Sequence, residues 1–223
     1  MTGDRVVRIG GLILMVGALA SVVHVVARSV LTAGVDPAVS ARAASWVPVN
    51  ALGALGAALV LLGLPAAYAR VAGPGGVPGL VGVALVALAW MFLGLFLALY
   101  GALVAPWLAA AAPGLLARTT PLPAGIVAAF VAALGAELAG CSLLSVPFLR
   151  GRVAPRWVGF ALPAAALLTV VGDLLAPSGP STSLPVNLLS NSGPVVLAIA
   201  LGRLGFGAWS VRAPAALEGG AAR

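Results

Sequence analysis

Five ionisable side chains lie within stretches of the sequence that are otherwise apolar. They are His24, Arg28, Glu137, Asp173 and Arg203. Such groups are costly in apolar surroundings and normally face the interior of a helix bundle, where they bind ligands, relay protons or pair with one another. The sequence marks these five as candidate binding residues, and the elements that carry them have to be established next.

Glu137 is the acid in the run AALGAELAGC, where every other residue is small or apolar. Counted from the ends of their segments, Glu137 and Arg203 lie at similar depth. The favoured interpretation is a structural one, either an ion pair with Arg203 that orients two helices or an interior hydrogen bond. The alternative is a carboxylate that binds a proton and couples this to a conformational change, as in a transporter.

His24 and Arg28 are spaced by four residues, which is one helical turn, and Asp173 is expected near the same end of the bundle. A connected polar cluster of these three is therefore geometrically allowed. The alternative is that Arg28 extends to the membrane interface and Asp173 helps to end its helix before Pro177.

The chain offers few groups for metal or covalent chemistry. With one His and one Cys, the sequence predicts no metal site, no cofactor and no disulfide. Ser142 and Ser145 are expected at the opposite end of the bundle from His24, which argues against a catalytic triad. No glycine-rich phosphate loop is present in a suitable context.

The composition excludes a soluble domain. Of the 223 residues, 62% are hydrophobic and 8% are charged, whereas a soluble domain carries roughly 25% charged residues. The net charge of +7 comes from arginines at segment ends and not from a patch, so we expect no nucleic acid partner. The expected partner is the lipid bilayer of the cell membrane.

Six apolar segments of about twenty residues or more predict an all-α, polytopic membrane protein with a six-helix bundle. The chain reads as one transmembrane domain over residues 1–223. The predicted helices cover about residues 7–33, 46–71, 79–105, 124–148, 157–176 and 186–211. The glycine-rich stretch Gly73–Gly79 predicts a turn, and the stretches 34–45 and 106–123 predict connections, the second with room for a short interfacial helix.

The distribution of arginine predicts that both termini are cytoplasmic. With that orientation nine arginines lie on or near the inner side and three on the outer side. Trp46 and Trp107 then lie at outer ends, as expected of an interfacial aromatic belt. On the sixth helix, Asn187 and Asn191 precede Pro194, which predicts a kink beside two amides that we place at the outer interface.

Two stretches, LGLPAAYARVAGPGGVPGLVGVALVAL and LGRLGFGAWSVR, resemble small multi-pass membrane proteins of high-GC, actinobacterial-type bacteria. The elements of this resemblance are a glycine-rich inner turn and a basic, aromatic exit from the last helix. No activity is assigned to that group, so the resemblance implies no catalytic residue.

Three roles stay open from the sequence. The favoured one is a structural or accessory membrane component, whose polar residues orient the helices. The second is a small transporter or permease-like subunit that uses Glu137 and Arg203, with a homo-oligomer or a partner membrane subunit. The third is a membrane-embedded enzyme that acts on a lipid or isoprenoid. The sequence does not identify the small-molecule ligand.

Overall fold

The protein is helical throughout the part of the chain that the structure, a computed structural model, describes: residues 3–116, 123–150, 155–175 and 183–210. The helices are α1 (Gly3–Thr32), α2 (Pro37–Arg42), α3 (Trp46–Ala69), α4 (Gly75–Ala111), α5 (Ala124–Arg150), α6 (Arg156–Leu175), α7 (Leu184–Ser190) and α8 (Ser192–Ser210).

Six of these helices are long and apolar enough to cross a membrane: α1, α3, α4, α5, α6 and α8. The predicted all-α class and the six spans are confirmed, and together they are the architecture of a multi-pass membrane protein. Below, the near end of the bundle is the end that holds Gly3, and the far end is the opposite one.

The turn between α3 and α4 lies where the glycine-rich stretch predicts it. Gly76 has φ 49° and ψ −146°, a conformation that glycine adopts without the strain that a β-carbon would cause. The two helices therefore run antiparallel, with Gly94 beside Ala57 and Gly101 against Asn50.

Helix α4 continues to Ala111, beyond its predicted end near Ala105. Two stretches of α4 widen into π-helical turns, Trp90–Phe96 and Tyr100–Val104. Proline normally breaks a helix because its ring clashes with the carbonyl four residues earlier. The wider turn just before Pro106 displaces that carbonyl, so the helix passes through a proline that the prediction treated as its end.

Helix α2 lies in a stretch that the prediction described as a loop. Asp36 caps it by accepting hydrogen bonds from the backbone N–H groups of Ala38 (2.8 Å) and Val39 (3.3 Å). The Asp-Pro pair at residues 36 and 37 is a helix-start signal that would have identified this element. The guanidinium of Arg42 donates to the carbonyl of Ala109 from both Nε and an Nη, which fastens α2 to the end of α4.

The sixth predicted helix is two helices, α7 and α8, separated at Asn191. The break follows from Pro194, which has no N–H to donate to the carbonyl of Ser190 and whose ring crowds that carbonyl. Proline therefore interrupts the helix beside Asn191, as the prediction of a kink anticipated.

The spans form a ring in the order α1, α3, α4, α5, α6, α8, which closes where α8 packs against α1. Glycines allow the close approaches: a β-carbon on Gly17 would lie 2.6 Å from the backbone nitrogen of Val60, and one on Gly140 would lie 2.8 Å from that of Val86. The small residues Ala98 and Ala105 of α4 face the interior, since both are buried.

Candidate functional site

A cavity of about 450 Å³ occupies the far half of the bundle, and all six spans contribute to its wall. On α1 the lining residues extend from Ser21 to Thr32, which is about 16 Å at the 1.5 Å rise of a helix. Val35 and Leu116 line it at the far end, where the cavity widens towards the connecting segments. The cavity therefore reaches from the far end to about the middle of the bundle.

Helix α1 contributes basic and hydroxyl-bearing side chains to the cavity lining, which we call the basic strip. His24 and Arg28 lie one turn apart, and Ser29 and Thr32 continue the strip. The imidazole of His24 packs flat against Gly53 of α3, because a β-carbon there would lie 2.5 Å from the ring. The guanidinium of Arg28 lies 6.0 Å from the centre of the Trp46 ring, a cation–π distance.

Helices α5 and α6 provide an acidic patch. Glu137 is buried, with 6% of its surface exposed, and its Oε1 accepts a hydrogen bond of 3.1 Å from the hydroxyl of Thr169. Asp173, one turn further along α6, is exposed at the cavity and close enough to Glu137 for their charges to interact. Gly193 lets α8 approach this point, since a β-carbon there would overlap the backbone nitrogen and hydroxyl of Thr169.

The hydrogen bond between Glu137 and Thr169 fits two protonation states. As a carboxylate, Glu137 accepts the single hydroxyl proton of Thr169. As a carboxylic acid, it donates to the same oxygen while Thr169 donates to the carbonyl of Ala165, 3.1 Å away. The geometry therefore permits a proton to be held or released at Glu137 without loss of this link between α5 and α6.

A second polar group, which sequence reasoning missed, joins α3 to α4 beside the cavity. The indole N–H of Trp46 donates to the carbonyl of Gly101 at 2.8 Å, and the amide of Asn50 donates to the carbonyl of Trp46 at 2.9 Å. Both side chains are buried.

The placement of Trp46 in an interfacial belt is therefore wrong, because its N–H has a partner inside the bundle. Trp107, assigned to the same belt, does face outwards with 65% of its surface exposed.

The asparagines of the last span also point inwards. The amide of Asn187 donates to the carbonyl of Ser29 at 3.2 Å and to the hydroxyl of Thr32 at 3.1 Å. Asn191 donates to the carbonyl of Asn187 and lines the cavity as well. The prediction that they lie at the outer interface concerns their depth; their amides point into the bundle, where α1 offers Asn187 two acceptors.

Arg203 lies apart from the cavity. Its guanidinium is 5.2 Å from the ring of Phe206 on its own helix, and Arg203 is not part of the cavity wall. Among the described residues, no ion pair joins it to Glu137, so the predicted pair is not formed. Arg203 instead lies over Phe206 of its own helix, and the partner of Glu137 is Thr169. Four of the five candidate residues thus line one cavity, and the fifth does not.

The described part of the chain holds no group of three or more His, Cys, Asp or Glu side chains that could bind a metal ion. Cys141 is fully buried in the apolar core. Ser142 and Ser145 donate to carbonyls of their own helix, Leu138 and Ser142 respectively. These serines line no part of the cavity. The cavity lining can thus bind charged groups and hold a proton. It includes neither Cys141 nor these serines.

Comparison with known proteins identifies no relative: no family model, no curated protein and no solved structure matches the chain.

Proposed function

We propose that the protein is a solute-binding carrier, or permease-like subunit, of the plasma membrane, and that its solute carries both a negative and a positive group. The observation that carries this proposal is the polar cavity, enclosed by all six spans of an otherwise apolar bundle. Its volume of about 450 Å³ falls within the range of roughly 300–1,000 Å³ that is usual for ligand pockets.

The charges of the wall lie on different helices. The basic strip is on α1, which packs against α3 and α8, whereas the acidic patch is on α5 and α6, which pack against each other. Both groups line the same cavity. A solute with an anionic group near Arg28 and a cationic group near Asp173 complements both.

Two buried donors in the lining support a bound ligand. Nε2 of His24 and Nε1 of Trp90 have no hydrogen-bond partner among the described residues, although the two side chains are only 9% and 8% exposed. A buried polar group without a partner costs about 1–3 kcal/mol. Because both residues line the cavity, a ligand or its water could supply the missing partners.

The arginine distribution supports a side for the opening. If both termini are cytoplasmic, the near end of the bundle faces the cytosol and the cavity opens to the outside. Six spans without an internal repeat are few for a carrier that acts alone. The proposal therefore includes a second copy of the chain or a partner membrane subunit.

A purely structural role was the favoured expectation from the sequence. That role predicts helices that pack closely, with no cavity among these polar side chains. The cavity that all six spans line favours solute binding over it.

The test uses phosphoethanolamine, a small solute with both charges, and the purified full chain in detergent. We expect phosphoethanolamine to raise the thermal unfolding midpoint of the wild type, since a ligand at 100 times its Kd adds about 2.7 kcal/mol of stability. Arg28→Met and Asp173→Asn should each abolish the rise. Arg203→Met is the matched control and should keep it. Equal responses of Arg28→Met and Arg203→Met would contradict the proposal.

Acid–base catalysis on the bound solute is the second candidate. His24, Glu137 and Asp173 come from three different helices, and all three line one cavity. Mass spectrometry of glycerophosphoethanolamine after incubation with the protein separates the two. Recovery of the unchanged compound favours binding alone, and a product that is lost with Glu137→Gln favours catalysis.

A further inference from the structure

We infer that the solute is a membrane amphiphile, whose zwitterionic head group occupies the cavity while its acyl chain lies in an apolar groove between α4 and α5. This inference rests on the proposed function, since it takes the cavity as the site of the charged group. It adds the class of the ligand and its route of entry, which is sideways from the lipid.

The groove has a volume of about 360 Å³ and lies on the outer side of the same two helices that wall the cavity. It is lined by Met91, Phe92 and Phe96 of α4 and by Ala129, Ala132 and Ala133 of α5. None of these side chains carries a charge or a hydrogen-bonding group. The groove therefore suits a hydrocarbon chain and not a polar solute.

The groove and the cavity are separated only by the seam between α4 and α5. On α4, Leu93 faces the cavity and Phe92 faces the groove; on α5, Phe130 faces the cavity and Ala129 faces the groove. Neighbouring residues in the chain thus line the two spaces. A ligand with a polar head and an apolar tail needs two such compartments side by side.

Helices α4 and α5 pack closely at the near end of their interface and less closely at the far end. Near Gly82 and Gly140 the backbones of α4 and α5 touch, since a β-carbon on Gly140 would lie 3.0 Å from the carbonyl oxygen of Gly82. From Pro123 to Ala132, in contrast, every residue except the half-buried Phe130 is exposed, so no described element packs closely around this part of α5. An acyl chain could pass at this level.

Helix α4 is irregular at the same level. The π-helical turn Trp90–Phe96 carries residues of both the cavity and the groove. Such turns replace regular hydrogen bonds by wider ones and often occur at functional sites. Within this turn, some side chains point into the cavity and their neighbours point into the groove.

The head group follows from the two walls of the cavity. A phosphate would lie near Arg28 and an ammonium group near Asp173, as in a phosphoethanolamine head. A phosphatidylglycerol head would place its phosphate at the basic strip, but its uncharged glycerol offers no cation to the acidic patch, so it lacks one of the two charge pairs.

The experiment compares three ligands on the full chain in a non-ionic detergent, by titration of the thermal unfolding midpoint. Lysophosphatidylethanolamine has head and tail, glycerophosphoethanolamine has the head alone, and lysophosphatidylglycerol has the same tail with an anionic head. We expect the first to bind at least tenfold more tightly than either of the others.

Ala132→Phe fills the groove, and Ala128→Phe is its control, because both positions are exposed on the same helix and only Ala132 lines the groove. Ala132→Phe should weaken lysophosphatidylethanolamine at least tenfold and leave glycerophosphoethanolamine unchanged, and Ala128→Phe should change neither. Ala129→Phe gives a second groove variant should Ala132→Phe fold poorly.

Two results would overturn the inference in distinguishable ways. If the groove variants bind lysophosphatidylethanolamine as Ala128→Phe does, the acyl chain does not lie in the groove. If lysophosphatidylglycerol binds as well as lysophosphatidylethanolamine, the head group is wrongly assigned. Neither result contradicts solute binding in the cavity. If Arg28→Met leaves every ligand unaffected, the proposed function fails and the inference fails with it.

Discussion

The hydroxyl of Thr169 donates a hydrogen bond of 3.1 Å to Oε1 of Glu137 and so joins α6 to α5 at the floor of the cavity. Both side chains are 6% exposed. The partner of the buried acid is therefore a neutral hydroxyl on the neighbouring helix and not the arginine two spans away in the chain. This relationship decides how substitutions at Glu137 should behave.

Removal of the hydroxyl should destabilise the protein. Thr169→Val keeps the shape of the side chain but removes the hydroxyl that donates to Glu137, which we expect to cost about 1–3 kcal/mol. Thr169→Ser retains the hydroxyl and should cost less. Unfolding in a mild detergent, followed by circular dichroism, measures the difference, and a Thr169→Val protein as stable as the wild type would show that the bond contributes nothing.

A pair of double-mutant cycles separates the observed partner of Glu137 from the predicted one. We expect Glu137→Ala and Thr169→Val to be non-additive by roughly 0.5–3 kcal/mol, as residues in contact are. Glu137→Ala and Arg203→Met should add within about 0.5 kcal/mol, because Arg203 lies over Phe206. Coupling in the second cycle and none in the first would show that Glu137 interacts with Arg203 and not with Thr169.

Gly53 should tolerate no side chain. In Gly53→Ala the new β-carbon would lie 2.5 Å from the imidazole of His24, so His24 or α3 must move, and overpacking of this kind costs about 1–3 kcal/mol. Gly135→Ala is the control, since nothing described lies within 4 Å of its β-carbon position. There the better helix propensity of Ala should add up to about 1 kcal/mol. Thermal unfolding of the two variants should therefore shift in opposite directions.

Asn187 should hold α7 against α1 at the mouth of the cavity. Asn187→Leu removes the donor to Ser29 and Thr32, and hydrogen bonds between membrane helices contribute about 0.6–1.7 kcal/mol each. Leu189→Ala, at a position with 69% exposure, is the control and should change little. Faster proteolysis near residue 187 in the first variant only would agree with the assignment, and equal protection of both would not.

The spans were predictable from the sequence, because long apolar runs and glycine or proline punctuation are local signals. The turn at Gly76 and the interruption near Pro194 belong to this class. The continuation of α4 through Pro106 was not predictable in the same way, since it depends on a π-helical turn that forms only when the helix packs. Helix α2 was predictable, but the capping signal of Asp36 and Pro37 was not applied to a stretch already assigned as a loop.

The sequence identified four ionisable side chains that line the cavity, but it did not identify which side chains contact one another. Side-chain type identified His24, Arg28, Glu137 and Asp173 as interior groups, and depth along a helix follows from residue number. Which helix faces which depends on rotation about each axis, and one residue of error rotates a side chain by 100°. For this reason the sequence did not identify Thr169 as the partner of Glu137, and it assigned that role to Arg203.

Sided cysteine labelling tests the cavity most directly. The chain has one cysteine, so Cys141→Ala gives a background for single cysteines. Val25 and Leu93 line the cavity, while their near neighbours Val26 and Met91 are exposed on the outside of the bundle. With a charged, membrane-impermeant thiol reagent added outside the cell, we predict modification of Val25→Cys and Leu93→Cys and protection of Val26→Cys and Met91→Cys. Protection of all four, or labelling of the outer pair alone, would contradict a water-filled cavity that opens to the outside.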